Sequence, residues 1–239
     1  MSGSKFSKRE IEDFIKRVGE ARPDGKWYQG GIEFLPGLLT PSIDETLDVR
    51  FITKEMGLDK IRFKGLTVLD CGCNTGYYSC YAASKGAKRV LGFDSSAKLV
   101  EAAKELAEKL GVSDKVEFSR LKFEDIDWKI LGGFDIVIMN SFLYHIEMKP
   151  EKLIALIGGI TNKMFIAYTQ FWNKSNPGNK GFGYSNPEKR YVKTVEETER
   201  DLRGVGFKEF KYFGEGITQL AGGENSPPKY MKVCIRASK

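Results

Sequence analysis

The sequence is poor in the residues that mark disulfide-rich and metal-binding proteins. It has four cysteines and one histidine in 239 residues. Cys71, Cys73 and Cys80 lie close together and Cys234 lies near the end, which is neither a disulfide framework nor the paired spacing of a structural zinc site. We therefore expect no bound metal ion, and the simplest location is a reducing compartment, the cytoplasm.

Long apolar runs are also missing. The chain has no stretch of 18 or more apolar residues, whereas a helix needs about 20 to cross a bilayer. Residues 1–12 are polar and charged, and they lack the apolar centre of a secretory signal. The sequence therefore predicts neither a membrane span nor a secretion signal.

The bulk properties fit a globular protein with a modest positive charge. A length of 239 residues with 41% hydrophobic residues suits one α/β domain with additions. The net charge of +6 permits an acidic or nucleic-acid substrate without arguing strongly for one.

Apolar runs alternate with helical patterns through most of the chain. Strands are predicted at residues 66–70, 89–94, 115–119, 134–139, 164–168, 208–213 and 230–235. Helical patterns with capping or stop signals follow the first, second and fourth of these strands, and another precedes the sixth. This alternation predicts an α/β fold with a doubly wound, mainly parallel sheet. The two successive strands at the end predict an antiparallel addition at one edge.

The first 57 residues do not follow this alternation. Helical spacing of apolar residues predicts helices over 6–18 and 42–57. Residues 26–41 are rich in aromatics, glycine and proline, which indicates an ordered loop or short strands. This segment either lies over a functional site or merely covers apolar surface. We therefore divide the chain into an N-terminal helical cap with a substrate-covering loop, 1–57, and an α/β domain, 58–239.

A glycine-bearing turn follows the first predicted strand of the α/β domain. Asp70, Gly72, Asn74 and Gly76 occupy alternate positions, and glycine and asparagine tolerate the left-handed backbone region. The spacing matches neither the dinucleotide fingerprint nor a phosphate-binding P-loop. Asp94 ends the second predicted strand, where a carboxylate can accept hydrogen bonds from both ribose hydroxyls. The turn and Asp94 together predict a nucleoside site.

These segments resemble those of a known enzyme family. Residues 68–76 and 92–95 look like motifs I and II of the class I S-adenosylmethionine-dependent methyltransferases, although Asn74 replaces the usual glycine. Residues 140–145 resemble the segment after that family's fourth strand, and the chain from Thr194 onward resembles its last helix and the turn that follows. The resemblance implies a seven-stranded mixed sheet with strand order 3-2-1-4-5-7-6, in which strand 7 is antiparallel. It also implies that S-adenosylmethionine is the cofactor.

The resemblance assigns cofactor contacts to residues that follow strand ends. Asp70 would orient the turn and the amino group of the methionine moiety, which the turn itself would line. Asp94 would hold the ribose. The cofactor-binding residues implied are Asp70, Gly72, Cys73, Asn74, Gly76, Asp94, Ser95, Phe123, Glu124 and Asn140, to which the segments discussed below add Tyr144 and Lys26.

The adenine and the reacting sulfur are assigned to later strand ends. Phe123 and Glu124, after the third strand, would flank the adenine, although a core position for Phe123 is an equally good interpretation. Asn140, just past the fourth strand, would lie close to the sulfonium.

His145 is a candidate general base. Methyl transfer is an in-line displacement, so the protein mainly aligns donor and acceptor. An acceptor hydroxyl must also lose a proton, which suits a histidine. The alternative is that His145 only packs its loop. Tyr144 beside it would contact the cofactor or close the site.

A narrower resemblance concerns residues 142–145, Phe-Leu-Tyr-His, and the upstream Lys26 and Trp27. Both are similar to segments of the bacterial tRNA wobble-uridine carboxymethyltransferases, which use carboxy-S-adenosylmethionine. Lys26 could then pair with the extra carboxylate and Tyr144 could contact it. The chain lacks the dense basic stripe that tRNA binding calls for.

We therefore expect an enzyme that methylates a small or medium-sized acceptor, at oxygen. The acceptor pocket would be covered by Trp27, Tyr28 and the long loop that ends near Tyr191, with Trp172 at its edge. The alternatives are a tRNA-modifying transferase and a nucleoside-binding module without catalysis. The sequence names neither the acceptor nor the oligomeric state.

Overall fold

The computed structural model describes residues 7–20, 29–35, 38–41, 48–172, 193–216 and 230–239. The chain forms two compact units, Met1–Lys122 and Phe123–Lys239. The predicted boundary between residues 57 and 58 stays a prediction.

The first unit contains helices, a small hairpin and three parallel strands. Its elements are α1 (Lys8–Glu20), β1 (Glu33–Leu35), β2 (Leu38–Leu39), α2 (Val49–Glu55), β3 (Thr67–Cys71), α3 (Tyr77–Ser84), β4 (Arg89–Asp94), α4 (Ala97–Lys109) and β5 (Val116–Arg120). β3 and β5 each pair in parallel with β4. Strands β3 and β4 are almost wholly buried, as expected of parallel strands covered on both faces.

Helix α1 is attached to α4 by a mixed apolar and ionic contact. Ile11 and Phe14 are fully buried. Arg17 donates two hydrogen bonds, of 2.7 and 2.8 Å, to the carboxylate of Glu105. Lys109, whose side chain is only 4% exposed, lies 3.3 Å from the same carboxylate. The apolar stripe that predicts this helix is therefore the face that it buries.

In the part of the second unit that the structure describes, there are four strands. Its elements are α5 (Trp128–Leu131), β6 (Phe134–Asn140), α6 (Pro150–Ile160), β7 (Thr161–Trp172), α7 (Val195–Gly204), β8 (Glu209–Gly216) and β9 (Tyr230–Ser238). β6 and β7 are parallel, whereas β9 is antiparallel to both β7 and β8.

The predicted sheet is confirmed. The strand order is β5-β4-β3-β6-β7-β9-β8, which is the order 3-2-1-4-5-7-6 when strands are counted from β3. The antiparallel strand is the last one in the chain, as expected. β1 and β2 form a separate two-stranded sheet, so the short strands expected within residues 26–41 are present.

Some boundaries differ from the sequence prediction. β7 has 12 residues rather than the five predicted, because its pairing with β6 begins at Thr161 and its pairing with β9 extends to Trp172. The described part of the helix predicted over 42–57 is α2, which Asp48 caps by accepting from the Arg50 amide; residues 42–47 lie outside the described part. The four-residue helix α5 is too short to show a period and was not predicted. No helix in the described ranges is long and apolar enough to cross a membrane.

Helix α7 begins with a capping box, which gives a test of the fold. Thr194 Oγ1 accepts a hydrogen bond from the Glu197 amide at 3.2 Å, and Glu197 Oε2 accepts one from the Thr194 amide at 2.9 Å. We expect Thr194→Ala to lower the free energy of unfolding by about 1 kcal/mol, because a buried helix end loses its cap. Thr194→Ser keeps the hydroxyl and should stay close to wild type. Urea unfolding followed by circular dichroism measures both, and equal losses for the two variants would contradict the role of the cap.

Candidate functional site

The turn after β3 has a left-handed backbone at every second residue. Gly72, Asn74 and Gly76 have φ values of 68°, 54° and 82°, as the residue types predict. Asn74 Oδ1 accepts a hydrogen bond from the Thr75 amide at 2.8 Å, which is how an asparagine side chain supports this backbone region. A Cβ at Gly76 would lie 2.7 Å from the ring of Phe118. Gly76 therefore serves both the turn and the close packing beneath it.

The carboxylate of Asp94 is held in place by two backbone amides. Oδ2 accepts a hydrogen bond from the Asn74 amide at 3.1 Å, and Oδ1 accepts one from the Ser96 amide at 3.0 Å. Asp94 is half-buried and Ser95 is exposed. Each carboxylate oxygen has about two acceptor positions, so each retains capacity for another donor. The arrangement can accept hydrogen bonds from two neighbouring hydroxyls while it orients the turn.

Asp70 is a buried carboxylate at the end of β3. It is 1% exposed, and Ser79 of α3 donates a 2.7 Å hydrogen bond to its Oδ2. Burial raises the pKa of Asp70 from 3.8 to about 6, a rise that the hydrogen bonds from Ser79 partly offset. The charge on Asp70 is therefore sensitive to pH in the neutral range.

Cys73 contributes mainly its backbone to the contacts of the turn, and its thiol donates one long hydrogen bond of 3.8 Å to the Asn74 carbonyl. The Cys73 carbonyl accepts hydrogen bonds from the Gly76 amide and from Gln29 Nε2, at 2.9 and 3.0 Å. The side chain is fully buried, and burial raises the pKa of the Cys73 thiol well above its ordinary value. None of the four cysteines is in a disulfide. Within the described residues, no three His, Cys, Asp or Glu side chains could together hold a metal ion.

Gln29 contacts this turn from a distant segment, and the sequence does not reveal that contact. Its side-chain oxygen accepts hydrogen bonds from Thr75 Oγ1 at 2.9 Å and from the Tyr77 amide at 3.1 Å. It lies far from the turn in sequence and in no recognisable motif, so only the fold brings it there.

In the second unit, the segment after β6 contains a strained residue. Ser141 has a φ of 51°, a region that serine rarely adopts. Its amide donates a 2.7 Å hydrogen bond to the Tyr168 carbonyl, and its hydroxyl donates one of 3.3 Å to Asn140 Oδ1. Asn140 is half-buried at the strand end. Strain of this kind is found at functional sites more often than elsewhere.

Tyr144 and His145 lie in a 3-10 turn, Leu143–His145. Their ring centroids are 4.4 Å apart at an angle of 46°, and the His145 amide donates to the Phe142 carbonyl at 2.9 Å. His145 is exposed and Tyr144 is half-buried. The imidazole can therefore exchange a proton with solvent or with a ligand.

Phe123 and Glu124 are both engaged within the second unit. Phe123 is 2% exposed, and its ring centroid lies 4.7 Å from that of Trp128 and 6.0 Å from that of Phe142. Glu124 is exposed and accepts a hydrogen bond from the Glu147 amide at 2.8 Å. The aromatic cluster supports the core interpretation of Phe123, and contact of either residue with adenine stays a prediction.

Four of the predicted residues lie outside the described part of the chain. They are Lys26, Trp27, Tyr28 and Tyr191. Trp172 is described by its backbone, which pairs with Tyr230 at the end of β7. The predicted cover of the acceptor pocket therefore stays a prediction.

The raised pKa of Asp70 predicts a specific dependence of stability on pH. Between pH 3.8 and about 6 the folded protein binds this proton more tightly than the unfolded chain, so the free energy of unfolding falls as pH rises through this window. Above it, the buried charge costs about 3 kcal/mol. Asp70→Asn removes this titration and should match wild type near pH 4 but exceed it in stability at pH 7.5.

Denaturant unfolding across this pH range measures the effect. The exposed Asp114→Asn, in the same unit, is the matched control and should show no such divergence. A difference between Asp70→Asn and wild type that does not change with pH would contradict the raised pKa.

The chain is similar in sequence to curated proteins over part of its length, and in structure to a solved domain over its whole length. The chain is 50% identical over 100 residues to protein arginine N-methyltransferase 1 of Saccharomyces cerevisiae, which is 41% of this chain and 28% of that protein. It is 32% identical over 143 residues to the tRNA U34 carboxymethyltransferase of Helicobacter acinonychis, which is 59% of this chain and 51% of that protein. The chain thus spans about half or less of the length of these curated relatives.

A solved structure that superposes along the whole of this chain supports the fold. The N-terminal domain of EvdMO1, solved in the presence of SAH and D-fucose, superposes with a TM-score of 0.67 at 18% identity and covers 100% of this chain and 99% of that one. The model of the family described as Methyltransferase domain matches residues 62–198. These residues are more than half of the chain and include the turn after β3, Asp94 and the segment after β6, and the chain therefore belongs to the Methyltransferase domain family.

Proposed function

We propose that this protein binds S-adenosylmethionine and transfers its methyl group to a small acceptor, at an oxygen atom. The observation that carries the proposal is the carboxylate of Asp94, fixed by the amides of Asn74 and Ser96 beside a turn of alternating left-handed residues. A carboxylate held in this way suits the two hydroxyls of a ribose. Membership of the Methyltransferase domain family supports the choice of cofactor among nucleosides.

The proposed cofactor site uses the backbone of the turn and three side chains. Asp94 would accept hydrogen bonds from the ribose hydroxyls, next to Ser95. The methionine moiety would lie along Gly72, Cys73 and Asn74, where left-handed residues allow close approach of the backbone. Asp70, buried beneath the turn, would favour the positively charged amino group of that moiety directly or through water.

The proposed methyl transfer needs no reagent besides S-adenosylmethionine and the acceptor. S-adenosylmethionine, when bound, would supply the methyl group: the acceptor oxygen would bond to the methyl carbon as the carbon–sulfur bond breaks, which would leave S-adenosylhomocysteine. The acceptor proton passes to a base. His145 is exposed and follows the carboxyl end of β6, the end of a strand at which ligands bind in such sheets. We assign it this role, with Asn140 and Tyr144 as positioning groups.

The small acceptor is supported by the whole-length neighbour. The N-terminal domain of EvdMO1 was solved in the presence of SAH together with D-fucose, a small molecule whose hydroxyls are of the kind that O-methylation uses. A second candidate is modification of tRNA, because the relative from Helicobacter acinonychis carries that name and matches 59% of this chain. In that case the cofactor would be carboxylated, with Lys26 as the residue proposed to pair with it. A nucleoside-binding module without catalysis is the remaining alternative.

The Asp94 assignment predicts a large loss of cofactor affinity. Asp94→Ala removes two charged hydrogen bonds to the ribose, and we expect the Kd for S-adenosylhomocysteine to rise about 100-fold or more. Isothermal titration calorimetry measures the change. Asp114→Asn, an exposed carboxylate of the same unit, should leave the Kd unchanged. Retention of wild-type affinity by Asp94→Ala would refute the site assignment.

The role of His145 predicts a loss in turnover rather than in cofactor binding. We expect His145→Ala to lower kcat about 100-fold while the Kd for S-adenosylhomocysteine stays within about twofold of wild type. Lys149→Ala, an exposed change close by in sequence, is the control. Unchanged kcat at saturating acceptor would remove His145 from the mechanism.

The assay for this variant also separates the candidate acceptors. The protein is incubated with methyl-labelled S-adenosylmethionine and either a panel of small hydroxyl compounds, including D-fucose, or bulk tRNA, and the label in each fraction is counted. Label in the small-molecule fraction is expected. Label on tRNA, with affinity that falls steeply as salt rises, would favour the second candidate, and no transfer to any acceptor would favour the binding module.

A further inference from the structure

We infer that Gln29 is a positioning residue that holds the cofactor turn, residues 73–77, in its ligand-binding conformation from outside the matched methyltransferase domain. The inference rests on the proposed function, because it takes that turn to be the cofactor site. The family match begins at residue 62, so Gln29 belongs to the segment whose role the sequence leaves open between covering a site and covering apolar surface.

The side chain of Gln29 spans the whole turn. Its Nε2 donates a 3.0 Å hydrogen bond to the Cys73 carbonyl. Its Oε1 accepts hydrogen bonds from Thr75 Oγ1 at 2.9 Å and from the Tyr77 amide at 3.1 Å. Gln29 is only 5% exposed, so water does not compete freely for these bonds and each is costly to lose.

One of these bonds replaces a missing helix cap. Helix α3 begins at Tyr77, and the residue before it, Gly76, has no side chain and makes no side-chain capping bond. The first amides of a helix have no partner within the helix. Gln29 Oε1 supplies one to Tyr77 from a distant segment, which ties the start of α3 to the N-terminal residues.

Gln29 is in turn anchored by the residues that follow it. Gly30 forms a parallel bridge with Asp48, and its carbonyl accepts a hydrogen bond from the Val49 amide at 2.9 Å. Gly31 has a φ of 79°, and a Cβ at this position would overlap the carboxylate of Asp48. The anchor is therefore the start of α2, approached closely because residue 31 is glycine.

This chain of contacts links the N-terminal segment to the cofactor. A ligand that requires the turn in this conformation also favours the docking of residues 29–32, and by linkage the docked segment raises the affinity for the ligand. A purely structural role would affect the stability of the fold but would not couple residues 29–32 to cofactor occupancy.

A graded set of variants tests the inference. Gln29→Met removes all three bonds at similar side-chain length, Thr75→Val removes one, and Thr75→Ser keeps the hydroxyl. We expect the Kd for S-adenosylhomocysteine to rise at least about tenfold in Gln29→Met, about threefold in Thr75→Val, and less than about twofold in Thr75→Ser. KM for S-adenosylmethionine should rise in the same order, with kcat at saturation close to wild type.

The control separates positioning from loss of stability. Val112→Ala removes methyl groups from a buried position. Val112 precedes β5, whereas the turn follows β3. Because β3, β4 and β5 are parallel, Val112 and the turn lie at opposite ends of these strands. Val112→Ala should lower the melting temperature without changing the Kd. A Kd for Gln29→Met within about twofold of wild type, or a Val112→Ala variant that weakens binding equally, would overturn the inference.

Amide hydrogen exchange provides the readout of coupling. In wild type, S-adenosylhomocysteine should slow exchange at the amides of Gly31 and Tyr77, and in Gln29→Met this protection of Gly31 should be lost. If wild type binds no S-adenosylhomocysteine, the proposed function fails. A comparison of the two proteins without ligand then still tests whether Gln29 holds the turn. The Tyr77 amide must exchange faster in Gln29→Met than in wild type, and equal rates would refute the inference.

Discussion

The structure of the first unit depends on keeping three left-handed residues within one turn of five. Gly72, Asn74 and Gly76 have left-handed backbone conformations, and the turn is held by the hydrogen bond from the Gly76 amide to the Cys73 carbonyl and by contacts from its surroundings. Asp94 accepts from the Asn74 amide, and Gln29 bonds to residues on both sides of Gly76. Of these two residues, Asp94 is a proposed ligand contact and Gln29 belongs to the N-terminal segment. The geometry of the proposed cofactor site and the folding of this unit therefore depend on the same contacts.

Close packing beneath the turn explains the small residues around it. A Cβ at Gly92 of β4 would lie 2.7 Å from both the Phe118 ring and Ser79 Oγ. Ser79 approaches β3 closely enough to donate to Asp70, which keeps a buried carboxylate partly satisfied. Because desolvation still dominates and the pKa of Asp70 is raised to about 6, the charge proposed to attract the cofactor amino group is maintained at the expense of stability.

Each of the two units carries groups of a different chemical kind. The first carries the fixed carboxylate and the turn, which suit a nucleoside. The second carries the strained Ser141 and the exposed His145, which suit proton transfer and alignment of an acceptor. Relatives that match only parts of this chain act, by their names, on protein and on tRNA, as expected if the cofactor half of such folds is shared while acceptor recognition varies.

Much of the fold follows from local pattern. Residue periodicity predicted the strands and a mainly parallel sheet, the family resemblance implied the strand order, and glycine and asparagine at alternate positions predicted the backbone of the turn. These succeeded because helical period, strand alternation and φ preference are properties of neighbouring residues. Periodicity could not give the full length of β7, which its pairing with β6 and β9 sets. The sequence by itself determined the sheet and the conformation of the turn; only the tertiary structure decided that Gln29 holds this turn, because a hydrogen bond between distant segments depends on how they pack and leaves no periodic trace in the chain.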